Sequence, residues 1–381
     1  MKALVNCDVF TGSEFLTNNA VLISDGKITG LPELDKVPDN AEIIDLGGNT
    51  IAPGFIDVQV NGGGGLLFND SPTVETIQTI VQAHRNFGTT NLLPTFITGS
   101  YEGMCNAQRS VNECIENGLH EILGIHFEGP CLAEGKAGVH DKNFIRKSHA
   151  RELDLLVSKS SGKKLFTLSP DQISGEEVRY LASKGVKLSL GHTNAGFSDC
   201  EEAVENGVTG VTHLYNAMSQ LLSREPGVVG AAFVIEKLKS GIIVDGFHCD
   251  FNAVKIAWNA VKKGNLFLVT DAMPPVGAMD SSFILGPYEI SVQNGKCVTS
   301  DGVLGGSALD MASAVRNCIQ KVGIPKSEAL KMASLYPATF LGLEQEYGSI
   351  QVGRQANLVV INNQIIVKGT FVAGDYRQST N

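Results

Sequence analysis

Leu165-Phe-Thr-Leu-Ser169, Gly175-Glu-Glu-Val-Arg-Tyr-Leu-Ala-Ser-Lys-Gly185 and Val186-Lys-Leu-Ser-Leu-Gly-His192 follow one another and read as strand, helix, strand. The outer two are apolar runs of strand length. The middle one carries Val178 and Leu181 at helical spacing and ends on a glycine, the residue that best adopts the left-handed conformation after a helix. Two strands joined by a helix can pair only in parallel, because the crossover returns the chain to the same end. Outward from this unit the alternation repeats. Strand-like runs occur at Gly54–Val60, Thr90–Phe96, Ile122–Glu128, Gly210–Leu214, Gly241–Asp245 and Leu266–Asp271, and helical patterns at Thr73–His84, Asp250–Lys263 and Ala308–Val322. With Leu165–Ser169 and Val186–His192 these make eight strands, which predicts an α/β fold, a (β/α)8 TIM-like barrel of about 250 residues. A doubly wound open sheet, the main competitor, ordinarily uses fewer strands.

The ends read differently. Ala20-Val-Leu-Ile-Ser24, Asp25-Gly26 and Lys27-Ile-Thr29 form a hairpin pattern with an Asp-Gly turn. Residues 348–376 are also rich in short β patterns. Neither end holds enough apolar residues for its own core, so the expected arrangement is one small β-sandwich built from residues 1–52 and 344–381. The catalytic barrel, 53–343, is inserted between them. The chain is 43% hydrophobic and 18% charged, which excludes wholesale disorder. Its net charge of −10 argues against nucleic acid or an anionic membrane as partner. Eight cysteines without a C-x-x-C pair read as reduced thiols, no run of roughly 18 apolar residues is present, and Asp8 interrupts any leader-like start. A soluble, cytoplasmic protein is expected.

In a barrel the chemistry sits where strands end, and six of the eight strand ends carry polar groups. They are Gln59-Val-Asn61, His126-Phe-Glu128, His192-Thr-Asn194, His213-Leu-Tyr-Asn216, Asp245-Gly-Phe-His248 and Asp271. Packing alone explains one such residue more easily than six together. Two imidazoles and a carboxylate, His192, His213 and Glu128, match a catalytic metal site with a position left for water. Asp271 then suits the general base that such a water needs. His126 lies two residues before Glu128 and so on the same strand face.

With the Pro53-Gly-Phe-Ile-Asp57 entry to strand one, this arrangement resembles the amidohydrolase superfamily. More narrowly, His126-Phe-Glu-Gly-Pro130, Gly191-His-Thr-Asn194, Thr212-His-Leu-Tyr-Asn-Ala-Met218, Arg224-Glu-Pro-Gly227, Asp245-Gly-Phe-His248, Val269-Thr-Asp-Ala272 and Leu304-Gly-Gly-Ser-Ala-Leu309 are similar to the N-acetylglucosamine-6-phosphate deacetylase family. The resemblance runs in order from about residue 1 to residue 375 and implies hydrolysis of an acetamide on a phosphorylated amino sugar. It assigns the metal to Glu128, His192 and His213, the proton transfer to Asp271 and the acyl carbonyl contact to His140. It also assigns the substrate to Asn216, Ala217, Arg224, His248 and Leu304-Gly305-Gly306. It implies a homodimer, possibly a tetramer, in which Arg224 and His248 act on the neighbouring subunit's substrate. An arginine near a phosphate is chemically apt, because its planar fork donates two parallel hydrogen bonds.

One departure stands out. Many amidohydrolases hold a second metal with His-x-His at the end of strand one, where this chain has Gln59-Val60-Asn61. Neutral amides are weak ligands, so one divalent ion per chain is expected, with zinc first and iron, cobalt or manganese able to use the same ligands. Strand four lacks a rim lysine, which counts against the alternative of a cyclic-amide hydrolase or base deaminase. Retention of all the proposed ligands counts against an inactive sugar-phosphate-binding relative. Cys131, next to the Glu128 loop, reads as a small packed residue rather than a redox gate. The run Gly62–Gly65 lacks phosphate-loop spacing and is expected to be a mobile loop over the site.

Overall fold

In the computed structural model, which describes residues 1–279 and 282–380, the opening stretch folds as Lys163–Leu168, Gly175–Ser183 and Lys187–Leu190. Ser174 Oγ accepts from Glu177 N at 3.3 Å while Glu177 Oε2 accepts from Ser174 N at 2.8 Å. This reciprocal pair satisfies two amides that the first helical turn leaves open. Val178 and Leu181 are buried, and Gly185 turns the chain at φ +83°. The flanking strands pair in parallel from Leu165↔Lys187 to Leu168↔Leu190.

The unit recurs around one parallel sheet. Its strands, in spatial and chain order, are β1 (Phe55–Val60), β2 (Thr89–Ile97), β3 (Gly124–Glu128), β4 (Lys163–Leu168), β5 (Lys187–Leu190), β6 (Gly210–Val211), β7 (Lys239–Ile242) and β8 (Leu266–Leu268). Helices between them include α1 (Val74–Arg85), α2 (Tyr101–Glu116), α3 (Ala150–Val157), α4 (Gly175–Ser183), α5 (Phe197–Glu205), α6 (Gly227–Val234) and α7 (Phe251–Ala260). β1 and β8 close the ring through a short seam. Asp271 N donates to Gln59 O at 3.0 Å, Asn61 N donates to Ala272 O at 2.9 Å, and the Asp57 carboxylate accepts from Thr270. Burial pushes the Asp57 pKa up to about 7, and the Thr270 hydroxyl offsets part of that cost.

β4, β5, β6, β7 and β8 stop earlier than the apolar pattern predicts. β5, β6 and β8 end before His192, His213 and Asp271, which sit at φ +48°, +33° and +52°. Left-handed backbone cannot continue a strand, so the residues expected at the strand tips start the loops instead.

Both termini join one unit, as the β patterns at each end predict. It is a single eight-stranded sheet in which Lys2–Phe10 pairs in parallel with Glu42–Pro53, and Glu42–Pro53 pairs antiparallel with Leu358–Ile361. Its inner side chains, among them Leu4, Ile23, Ile28, Ile51, Leu358 and Phe371, meet in a cluster separate from the barrel core. A second antiparallel sheet, Ser282–Leu285, Tyr288–Gln293, Lys296–Val298 and Leu304–Ser307, follows β8 and was not anticipated. Asn294-Gly295, at φ +52° and +80°, makes its central turn; it is the strongest hairpin dipeptide and the signal that identifies this sheet.

The Gly62–Gly65 segment is not the loose loop expected. Gly62–Gly63 pairs with Leu66–Leu67, and the amides of Gly62, Gly64 and Gly65 donate to the carbonyls of Ala272, Val276 and Pro274. No helix among the described residues is long and apolar enough to cross a membrane.

Gly124 opens β3 at φ +152°, where an added Cβ would lie 1.9 Å from the Lys163 carbonyl oxygen. Backbone cannot yield as a side chain does, so Gly124→Ala is expected to cost about 3 kcal/mol or more in denaturant unfolding. Gly118→Ala, also at positive φ but with open space around it, is expected to cost only about 1 kcal/mol.

Candidate active site and metal centre

Glu128 ends β3 with its carboxylate at the mouth of the barrel. His192 Nε2 lies 3.1 Å and His213 Nε2 2.9 Å from Glu128 Oε1, and the two nitrogens are 3.0 Å apart. His192 Nδ1 meets Lys136 O at 2.7 Å as a donor, so a bound ion would find the lone pair at Nε2, the edge that otherwise hydrogen-bonds Glu128. Three lone-pair atoms thus converge on one point. Bonds of about 2.0–2.1 Å from a tetrahedral ion place its ligand atoms roughly 3.3 Å apart, close to this triangle. The donor set therefore fits one divalent ion. His140 also offers a donor within 4.8 Å of those of Glu128 and His192, but the tighter triangle is the one with His213.

Burial, the largest influence on Glu128, would raise its pKa. The hydrogen bonds from His192 and His213 outweigh it and hold the carboxylate well below its usual range. His213 shifts the other way: burial opposes its charge, but Glu128 raises its pKa overall. Glu128 is thereby kept ionised, as a metal ligand must be, and a bound ion would take the place of the proton that His213 otherwise attracts.

Asp271 stands next to this group. It is enclosed by protein but partly accessible through the cavity. Its Oδ1 accepts from Asn61 Nδ2 at 2.6 Å and from Gln59 Nε2 at 3.2 Å. Burial and then the charge of Glu128 push its pKa up to about 6. Gln59 Nε2 also reaches Glu128 Oε1 and Oε2 at 3.2 and 3.1 Å, so one amide donates to both carboxylates. Gly306 supports Asp271 from behind. At φ +65° it lets Ser307 N reach Asp271 O at 2.9 Å, where a Cβ would meet Met273 Cε at 2.4 Å.

A cavity of about 100 Å³ opens over these groups. Asn61, His140, Asn216, Ala217, His248 and Leu304 line it with Glu128, His192, His213 and Asp271. His140 Nδ1 meets Thr98 Oγ1 at 2.9 Å, and burial lowers its pKa to about 3. His248 Nδ1 pairs with Asp245 Oδ2 at 2.7 Å, and Asn216 Nδ2 donates to the carbonyls of His213 and Leu214. Gly305 and Gly306 lie behind Leu304 rather than on the wall.

Two anticipated residues stand apart, and Cys131 is packed as expected. Arg224 is exposed on the loop after β6 and does not line the cavity. His126 is fully buried, with Nδ1 and Nε2 both engaged by the hydroxyls of Thr95 and Thr167 at 3.1 and 2.8 Å, so its ring nitrogens are taken up in the barrel interior. Cys131 is buried, and desolvation lifts its thiol to about 12. Thr98 and the Lys136 carbonyl were not anticipated. Thr98 follows β2 directly and was legible as a rim hydroxyl; Lys136 contributes only backbone and leaves no side-chain signal. Five of the described non-glycine residues at positive φ, His192, His213, Tyr215, Ala217 and Asp271, lie on this rim. Strain gathered at one place is a mark of a functional site.

The fold and site together define a metal-dependent hydrolase class, and the sequence agrees. The amidohydrolase family model matches residues 50–376 and the NagA composite domain residues 1–51. The chain belongs to the amidohydrolase family. It is 41% identical over 369 residues to the N-acetylgalactosamine-6-phosphate deacetylase of Shewanella sp. (strain ANA-3), covering 96% of this chain and 93% of that one. It is 34% identical to the N-acetylglucosamine-6-phosphate deacetylase of Haemophilus influenzae, covering 99% of each. The crystal structure of N-acetylglucosamine-6-phosphate deacetylase from Pasteurella multocida superposes with a TM-score of 0.96 at 38% identity over 99% of both chains.

If the triangle holds the ion, His192→Ala or His213→Ala should bind tenfold or more less metal than the wild type, within the about 10–100-fold range seen when metal-site contacts are lost. Elemental analysis of dialysed protein measures it. Full retention in both variants places the ion elsewhere.

Proposed function

We propose that this protein hydrolyses the acetamide of N-acetylglucosamine 6-phosphate to acetate and glucosamine 6-phosphate. The observation that carries this reading is Asp271, a carboxylate of raised pKa held beside a three-donor metal triangle in one cavity. Residues 53–343 are taken as the catalytic unit. Glu128, His192 and His213 are assigned as ligands of a single ion, zinc by donor preference. When bound, such an ion polarises the acyl carbonyl and acidifies water. Asp271 takes a proton from the attacking water and returns it to the departing amine nitrogen, beginning and ending ionised. Thr98 Oγ1 donates to Glu128 O at 3.2 Å and lies 2.9 Å from His140 Nδ1, which fixes the ring beside the cavity. His140 is assigned to contact the acyl carbonyl from there. Gln59 and Asn61 supply amide hydrogens where a second ion would otherwise be needed. Asn216, Ala217, His248 and Leu304 are assigned to the sugar side, with Gly305 and Gly306 supporting Leu304 from behind.

Arg224 enters through a second copy. Leu221, Leu222, Val234, Phe247 and Ile256 are exposed on α6, α7 and the loops after β6 and β7. Exposed apolar side chains on neighbouring elements suit a subunit interface. We assign a cytoplasmic homodimer in which Arg224 crosses to the neighbouring phosphate. Leu222→Glu is expected to give a monomer in sedimentation, with KM raised as in Arg224→Ala; a fully active monomer contradicts this arrangement.

The acetate-release assay decides the main reading. Asp271→Asn should keep metal and substrate binding but lose about 10²–10⁴-fold in kcat, and near-normal turnover defeats the assigned role. Because the base must be ionised, activity should be present above the Asp271 pKa of about 6 and fall as pH drops through it. A nearby cation moves this limb lower, never higher. The 41% identity to the galactosamine enzyme favours testing the C4 epimer alongside. Faster turnover of N-acetylgalactosamine 6-phosphate would change the preferred sugar and leave the chemistry intact.

A further inference from the structure

A second cavity of about 360 Å³ lies against the catalytic one, and Ile97 and Val139 line both. These two side chains are therefore the partition. Ile97 is the last residue of β2, and its backbone is fixed from both sides: Ile97 N donates to Asn69 Oδ1 at 2.9 Å and Asn69 Nδ2 donates to Ile97 O at 3.0 Å. Val139 precedes His140. Leu67, Leu285 and Ile290 pack with both in one cluster that also holds Met273. The hairpin sheet after β8 thus braces the wall.

The two sides of the catalytic cavity differ in chemistry. Asn216 and His248 face it from the loops after β6 and β7, whereas Ile97, Val139 and Met273 form the apolar side. Asp70, Glu102 and Asp141 are among the residues lining the second cavity, and no lysine or arginine among the described residues lines it. It would repel a phosphate. A sugar phosphate therefore extends toward Asn216 and His248, and the acyl group points to the apolar side.

We propose that Ile97 and Val139 set the length of the acyl chain the enzyme accepts, and that the cavity behind them is a latent acyl pocket. This rests on the hydrolytic reading above. The bonds made and broken do not change: water oxygen joins the acyl carbon, the C–N bond breaks, the longer carboxylate leaves and the amine keeps the proton. An extra methylene that meets a rigid wall is disfavoured by about 10- to 200-fold. Shortening the wall joins the two cavities and removes that discrimination.

The test compares amine release from N-acetyl-, N-propionyl- and N-butyrylglucosamine 6-phosphate by wild type, Ile97→Val, Ile97→Ala and Val139→Ala. The propionyl-to-acetyl ratio of kcat/KM is expected to rise in the order wild type, Ile97→Val, Ile97→Ala, by about tenfold or more at the end. Ile97→Val removes one methyl only and carries the test if the alanine variant does not fold. Wild type that already takes the butyryl substrate as well as the acetyl one overturns the inference. So do folded, metal-loaded variants whose ratio stays within about twofold of wild type. Wild type that releases amine from none of the three overturns the hydrolytic reading itself, and this inference with it.

Discussion

Glu128 and Asp271 share a single amide donor, Gln59 Nε2, at the seam where β1 meets β8. A carboxylate removed from water costs several kcal/mol unless its charge is compensated, and two close together also repel. The barrel resolves this unequally. Glu128 faces two imidazoles and stays ionised. Asp271 receives only neutral amide hydrogens and keeps a raised pKa of about 6. Unequal environments thus suit one carboxylate to hold an ion and the other to carry a proton, although the two lie a few ångströms apart.

That inequality depends on the seam. Asp271 N on Gln59 O and the Asp57–Thr270 pair fix β8 against β1, so the same contacts that close the barrel set the height of Asp271 beside Gln59 and Asn61. The left-handed backbone at His192, His213 and Asp271 turns these side chains inward from strands that would otherwise alternate past the site. Gly306 then admits the backbone of residue 307 behind Asp271. Strained backbone and close approach thus coincide with the chemistry at this rim.

Much of this was legible in the order of residues. The strand–helix–strand alternation gives the barrel because burial on both faces makes each strand a short apolar run, and polar residues at six strand ends mark the rim. Glu128, His192, His213 and Asp271 meet as that pattern implies. Gln59 and Asn61 were read as a weakened second metal site; the structure adds that they are hydrogen-bond donors joining the two carboxylates. Other features left no periodic signal. Strand ends shortened because φ turns positive at the ligands, which no apolar count detects. His140 lies in an irregular loop, fixed by Thr98 from another strand, and Lys136 acts through its carbonyl. His126 looked like a rim residue from period-two spacing, but the threonines on both sides claim its nitrogens.

In the proposed centre one ion, held by two imidazoles and one carboxylate, is enough because Gln59 fills the second position with hydrogens. X-ray absorption at the bound ion's edge, on purified protein, reads this out. The expected first shell is two imidazole nitrogens and oxygen at about 2.0–2.2 Å, with no sulfur and no metal–metal scattering. A metal–metal vector near about 3.5 Å, or a thiolate in the shell, would contradict it.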